Sequence, residues 1–369
     1  MALNREIRAL TGLRGVAAFD VALLHIGSGQ LHAVDWFAFH NAAVDIFFCL
    51  SSFTLCLVYG AGETSHLPWR HYAAARFARI YPLYFAIVAL FGVIALLFRR
   101  IYIAKYGIDL FLLDFFRQIV MVNGLPIIGN GTHWIVVMWS LSIEAFCYVA
   151  VFPPLFWLSL RAIRLPVLGK TLIMLLCAAI TMAVYLAFFD PAVNSHVVPP
   201  AQGPFVHWVA ITRGICMFVA GWLAGLAWRG DTGFARMLSR YADLMAAAFF
   251  GIMLAQAFGY GDQEEVVLLA PFFILAICHP GSRIETLLSG RLLHYLGTIS
   301  YSLYLIHMPV ATVLIGAAEH NHVPGVVSVP ITLAVSLWLA HQSYFRFERP
   351  ARIWLRQRLV RDGSAVPVV

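Results

Sequence analysis

Ten stretches of about 16 to 26 apolar residues follow one another along this chain, separated mostly by short polar connections. A bilayer-spanning helix needs about 20 mostly apolar residues. The stretches lie at 9–27, 36–59, 80–98, 133–158, 171–189, 207–228, 242–259, 264–279, 292–316 and 325–345, the eighth being the shortest. Only 12% of the 369 residues are charged, against about 25% in an average soluble domain. The expected fold is therefore an all-α integral membrane bundle of about ten transmembrane helices.

The segment 110–129, FLLDFFRQIVMVNGLPIIGN, is apolar as well but contains Asp114, Arg117, Asn123, Gly124 and Pro126. Those residues suit a surface or re-entrant helix rather than a span. Basic residues support that choice. With the N-terminus inside and ten spans, 19 of the 25 Lys+Arg fall in cytoplasmic segments, including Arg70, Arg76, Arg79, Arg229, Arg283, Arg352 and Arg356. The four outer ones, Arg99, Arg100, Lys105 and Arg117, share one loop, while Arg14 and Arg213 lie within spans. Counting 110–129 as an eleventh span would invert every later loop and destroy this asymmetry. Both termini are thus expected in the cytoplasm.

No hydrophilic piece reaches domain size, and there is no internal repeat, so residues 1–369 read as a single transmembrane domain with a cytoplasmic tail at 351–369. The first apolar stretch contains Arg14 and no clean cleavage site follows it, which reads as a retained helix rather than a signal peptide. The six cysteines lie in apolar runs without CxxC spacing, as buried reduced thiols do. The formal charge of +7 is accounted for by the loops that set orientation, without nucleic acid. The 14 histidines show no HxxxH or HExxH pair on one helix face, and His66 and His71 fall in an interfacial loop, so no metal is expected.

Ionisable residues inside spans cost about 2.5–3.5 kcal/mol each on insertion scales, which makes them functional candidates. Arg14, Asp20, His25, Asp45, Glu144, Arg213 and His307 are of this kind. Arg14 and His25 are eleven residues apart, close to three helical turns, so they share a face and differ in height by about 16 Å. A ligand entering from the cytoplasm would put its anionic part at Arg14 and its tip at His25. Pantetheine joined to pyrophosphate has that shape. The same spacing also fits an arginine that snorkels and a histidine satisfied in the core.

Asp45 is expected at a depth comparable with His25, where a carboxylate would hold an imidazole in one tautomer; a structural ion pair with another span is the other reading. Ser51 and Ser52 suit close helix packing. Arg76 and Arg79, three apart at the cytoplasmic boundary, suit either phosphate binding through paired guanidinium forks or simple anchoring. Glu144 needs a partner at its depth, with Arg14, Arg213 or a histidine as candidates. Tyr304 and His307 share a face of the ninth span, together with Tyr301 nearby, and could meet a sugar, a carbonyl or a neighbouring helix.

Taken together, these segments resemble the family 3 membrane acyltransferases, which O-acylate polysaccharides, lipopolysaccharide, glycans and some small molecules. LTGLRGVAAFDVALLH matches the family's Arg-x10-His signature at Arg14 and His25. VDIFFCLSSF is similar to VDxFFxLSGF at Asp45, Phe47, Phe48, Leu50, Ser51 and Phe53, with Ser52 where glycine is usual. RFARIYPLY matches RxxRIxPxY at Arg76, Arg79, Ile80, Pro82 and Tyr84. WSLSIEAFCYVAVFPPL resembles WSLxxExxFYxxxP at Trp139, Ser140, Leu141, Glu144 and Pro153, with Cys147 in an aromatic's place. LGTISYSLYLIHMPV resembles LGxxSYxLYLxHxP, and FERP the closing ExP at Glu348 and Pro350. The motif-bearing region is about 7–350.

The resemblance implies a membrane-bound O-acyltransferase of a bacterial inner membrane. It would move an acyl group, acetyl first among the candidates, from cytoplasmic acyl-CoA to a hydroxyl of a carbohydrate or glycoconjugate. Arg76 and Arg79 would hold the donor's phosphates and Arg14 its thioester arm. His25 would act as general base or transient acyl carrier, Asp45 would orient it, and Glu144 would complete the catalytic set. Ser51, Tyr301, Tyr304 and His307 would line the substrate pocket. Without the hydrolase-like extracytoplasmic domain of some members, direct transfer or a separate partner is expected. A multi-span transporter or exporter of a small anionic or sugar solute would explain the spans and buried charges equally well. It would not explain why these motifs occur together.

Overall fold

The computed structural model describes residues 6–31, 34, 42–60, 67–97, 108–126, 128, 137–188, 205–258, 260 and 263–359, and these are helical with no strands. The outer-loop cations Arg99, Arg100 and Lys105, His66, and the chain ends with Arg5 and Arg361 lie outside the described residues. So do the edges of several expected spans, at 36–41, 98, 133–136, 189 and 259.

In chain order the helices are α1 (Arg8–Gly27), α2 (Ala42–Tyr59), α3 (Trp69–Leu97), α4 (Ile108–Ile119), α5 (Met138–Phe146), α6 (Phe152–Ala162), α7 (Val167–Phe188) and α8 (Phe205–Gly230). They continue with α9 (Thr232–Ser239), α10 (Ala242–Ala257), α11 (Ala270–Ala276), α12 (Arg283–Leu288), α13 (Arg291–Thr298), α14 (Ser300–His320), α15 (Gly325–Ser343) and α16 (Arg349–Leu359). Among the described residues eight helices are long and apolar enough to cross a bilayer, counting α5 with α6 and α15 with α16 as single rods. The pair α9–α10, bent by 58°, makes a ninth.

The difference from ten regular spans lies at 264–279. That stretch is a 3₁₀ turn, Gln263–Leu268, followed by α11, whose seven residues are all buried. It still carries the chain back along α10. The carboxylate of Asp243, in the first turn of α10, accepts hydrogen bonds from the backbone N–H groups of Arg283 (3.1 Å) and Ile284 (2.8 Å). Irregular backbone at membrane depth is tolerated where protein encloses it. Helix α4, at 12 residues, is too short to cross. It packs on α3, where the Tyr84 hydroxyl donates to the Gln118 carbonyl at 2.7 Å.

Two prolines shape the bundle in the same way. Pro153 and Pro350 offer no N–H, and just before each the ladder slips to i→i−5 bonding. Phe152 N–H reaches the Cys147 carbonyl, and Arg349 N–H reaches that of Tyr344. The resulting π turns, Cys147–Val151 and Tyr344–Glu348, join α5 to α6 and α15 to α16. A carbonyl in the first of these turns, that of Tyr148, accepts the Tyr72 hydroxyl at 2.7 Å.

Helices α2 and α8 form a broad central contact. It depends on Gly221, where a methyl group would collide with the Cys49 carbonyl and the Ser52 hydroxyl. Small residues let membrane helices approach in this way. Ser52 is thus accommodated by a glycine on the facing helix. The six cysteines are free thiols.

Candidate active site

A cavity opens between α1, α2, α3, α5 and α14. Arg14, Ser51, Arg79, Glu144, Tyr301 and Tyr304 supply most of its polar lining, with Phe47 and Phe48 among the apolar residues. Helical spacing explains the convergence. Ser140, Glu144 and Tyr148 stand at i, i+4 and i+8 of one face, and Ser300, Tyr304 and His307 at i, i+4 and i+7 of another.

The Glu144 carboxylate is fixed through one oxygen, which accepts the Ser51 hydroxyl at 2.5 Å and the Tyr148 hydroxyl at 2.6 Å. The Arg76 guanidinium lies over the Tyr148 ring, 5.6 Å from its centre, near enough for a cation–π contact. By contrast Arg14 and Arg79 have no carboxylate within ion-pair distance among the described residues, although both line the cavity. Two half-buried guanidinium groups facing one polar space have the chemistry to receive an anion.

Tyr301 donates to the Ile80 carbonyl at 2.5 Å and so ties α14 to the arginine-bearing α3. The hydroxyls of Tyr304 and Ser140 are 2.6 Å apart, and both reach the Val137 carbonyl, at 3.0 and 3.1 Å. Tyr304 is also the link to the histidines. Its ring centre lies 5.9 Å from that of His307, which lies 5.2 Å from that of His25. Neither histidine lines the cavity itself. From Ser300 to His307 is about 10 Å along α14 at 1.5 Å per residue.

His25 Nδ1 is 2.8 Å from the Val21 carbonyl, and His307 Nδ1 is 3.0 Å from that of Leu303. A carbonyl oxygen only accepts, so Nδ1 carries the proton in each ring and Nε2 is the basic nitrogen of the neutral form. His307 Nε2 is buried without a hydrogen-bond partner among the described residues.

Asp45 is placed differently from the expectation that it would hold His25. Its Oδ2 accepts from Arg213, at 2.6 Å from Nη2 and 3.2 Å from Nε. Arg213 also reaches Glu264 at 3.4 Å and stacks over the Tyr185 ring at 5.1 Å. Arg213 is therefore not the partner of Glu144. Depth along a span gives no rotation about its axis, and Asp45 faces α8 rather than α1. Tyr148 was not singled out by its position in the sequence, although its i+4 spacing from Glu144 is a signal that would find it.

Comparison with known proteins fits this constellation. The family model described as an acyltransferase domain, the family 3 type, matches residues 7–341. The chain belongs to this acyltransferase family. The Bacillus subtilis (strain 168) protein YrhL, provisionally named a peptidoglycan O-acetyltransferase, is 25% identical over 95% of this chain and 55% of its own length. The O-acetyltransferase OatA of Staphylococcus aureus (strain NCTC 8325 / PS 47) is 23% identical over 94% of this chain and 57% of its own. The peptidoglycan O-acetyltransferase OatA of Listeria monocytogenes is 22% identical over 95% and 56%. The chain thus spans a little over half the length of these curated relatives. No solved structure matches it.

Proposed function

We propose that this acyltransferase-family protein moves an acetyl group from acyl-CoA to a hydroxyl of a carbohydrate or glycoconjugate, with a peptidoglycan glycan as the first acceptor to test. The observation that carries this reading is the cavity in which Arg14 and Arg79 share one polar space with Glu144, without an ion pair among the described residues, joined through Tyr304 to His25 and His307. The names of the relatives support the acceptor class. The arginine distribution supports entry of the donor from the cytoplasm, and the bacterial origin of the relatives supports residence in a bacterial plasma membrane.

In this reading Arg14, Arg76 and Arg79 bind the donor's phosphates, and the thioester arm runs past Ser51 and Tyr301 toward Tyr304. His25 Nε2 takes the proton of the acceptor hydroxyl. The acceptor oxygen bonds to the acyl carbon as the carbon–sulfur bond breaks. The proton then passes from His25 to the departing thiolate, which leaves as the free thiol. Glu144 stands beside the arginines and orients Ser51 and Tyr148. His307 packs on the His25 ring. Asp45 acts at one remove, by fixing α2 to α8 through Arg213.

The test is mass spectrometry of peptidoglycan fragments incubated with acetyl-CoA and the protein in nanodiscs. An acetylated glycan that requires both His25 and Arg14 supports the assignment. Acetyl-CoA consumption with no acetylated sugar among varied glycans would count against a carbohydrate acceptor.

A further inference from the structure

The C-terminal helix α16 begins eight residues beyond the last residue matched by the family model. Its composition, RPARIWLRQRL, reads as a cytoplasmic tail, yet it packs along the arginine-bearing helix α3. Its polarity is turned inward. Ala351, Arg352, Leu355 and Arg356 form the half-buried face, whereas Ile353 and Trp354 point outward, 47% and 55% exposed. Arg358 stays on the outer side, over the Trp354 ring at 5.4 Å.

This inward face meets the cluster already described. Arg352 and Arg79 are near enough for their charges to act on one another, as are Arg356 and Arg76. The Tyr59 hydroxyl, at the end of α2, lies in the field of both Arg76 and Arg356. Among the described residues neither Tyr59 Oη nor Arg76 Nε makes a hydrogen bond of ordinary geometry, although both atoms are buried and the Tyr59 hydroxyl lies close to the Arg76 guanidinium. The acids nearby are Glu144, held by Ser51 and Tyr148, and Glu348, which accepts from Ser302 at 2.6 Å. Neither forms an ion pair with these arginines among the described residues. Five guanidinium groups around two engaged carboxylates leave an excess of positive charge at a partly enclosed site lined by the Tyr59 hydroxyl. Such an arrangement is costly unless an anion completes it.

We propose that Arg352 and Arg356 of α16, with the Tyr59 hydroxyl, hold the phosphorylated nucleotide end of the donor, leaving Arg14, Arg76 and Arg79 to its diphosphate and arm. The assignment rests on the reading of the donor as acyl-CoA. It makes α16 a positioning element that distinguishes full CoA thioesters from shorter thioesters lacking the nucleotide.

Full-length protein in nanodiscs would be assayed with acetyl-CoA and with S-acetylpantetheine, and titrated calorimetrically with adenosine 3′,5′-bisphosphate. In Arg352→Gln and Arg356→Gln, the KM for acetyl-CoA rises by about ten- to a hundredfold with kcat little changed, the range expected for lost charge-assisted hydrogen bonds. Nucleotide affinity falls in parallel, turnover of S-acetylpantetheine is unaffected, and the lysine variants recover part of the loss. Arg358→Gln behaves as wild type. Unchanged KM and nucleotide affinity in the glutamine variants, or equal loss with both donors, would overturn the assignment while leaving the acyl-CoA reading intact. If the wild type turns over neither donor, that reading fails and the titration still decides. Nucleotide binding lost in the glutamine variants supports the site, and no nucleotide binding by wild type overturns it.

Discussion

The imidazoles of His25 and His307 lie 5.2 Å apart between centres and 47° from parallel, each with Nδ1 turned to the carbonyl four residues earlier in its own helix. Both helices therefore fix a tautomer by local geometry, without needing a carboxylate from Asp45. What separates the two rings is access, because His25 is half-buried and His307 fully buried.

From this difference, His25→Ala lowers kcat for acetyl transfer by about 10²–10⁴-fold, the usual contribution of a positioned base. His307→Ala costs less, since that ring supports the first. Steady-state rates on both variants, with folding checked by thermal unfolding, decide the order. Equal losses would assign the base to the pair.

Glu144 gives a second expectation. Glu144→Gln keeps an oxygen that can accept from Ser51 and Tyr148, so its Tm stays near wild type while activity falls with the lost charge. Glu144→Ala strands both hydroxyls, at about 1–3 kcal/mol for each buried group left unpaired. Its Tm falls as well. Thermal unfolding in detergent together with turnover separates the two effects.

The triad of Asp45, Arg213 and Glu264 is a stability element. Breaking a buried pair by removing one partner costs about 3–5 kcal/mol. Arg213→Met, which leaves two carboxylates facing each other, lowers Tm more than Asp45→Asn does. The double variant is milder than the sum of the two, because the residues share an interaction. Strictly additive shifts in Tm would argue against the pairing.

At the start of α1, Glu6 accepts from the Thr11 hydroxyl at 2.7 Å and lies 3.0 Å from His294 Nε2. Partial burial, the largest single influence, pushes its pKa up, but Thr11, His294 and Arg8 together hold it below the ordinary 4.5. A carboxylate with a depressed folded-state pKa stabilises above the ordinary value and loses that contribution as pH falls through the folded one. The protection factors of the amides at residues 7–11, taken relative to their intrinsic exchange rates, should therefore fall as the pH drops below about 4.5. Glu6→Gln removes that pH dependence; a step that persists in this variant would assign it elsewhere.

Much of this was legible in the sequence because lipid imposes long apolar runs, and nine of those runs contain a long helix close to where they were read. Arg14, Ser51, Arg79, Glu144, Tyr301 and Tyr304 lie in the motif segments and meet at one cavity. What the sequence did not disclose depends on rotation and enclosure. Asp45 faces Arg213 because of how α2 turns against α8, which no spacing within one helix reveals. The run 264–279 is as apolar as a span, but apolarity does not distinguish lipid from a protein interior, and enclosed backbone need not stay helical. The charges of α16 read as a solvated tail because composition does not say which face turns inward.

The central claim is that the unpaired arginines receive an acyl-CoA whose thioester reaches His25. The most direct measurement is release of free CoA from acetyl-CoA by the full-length protein in nanodiscs, with Arg14→Ala and His25→Ala compared at matched folding. The account predicts CoA release by wild type, a raised KM in Arg14→Ala, and a collapsed kcat in His25→Ala. A wild-type protein that neither binds nor cleaves acetyl-CoA, or a His25→Ala variant that releases CoA at the wild-type rate, would contradict it.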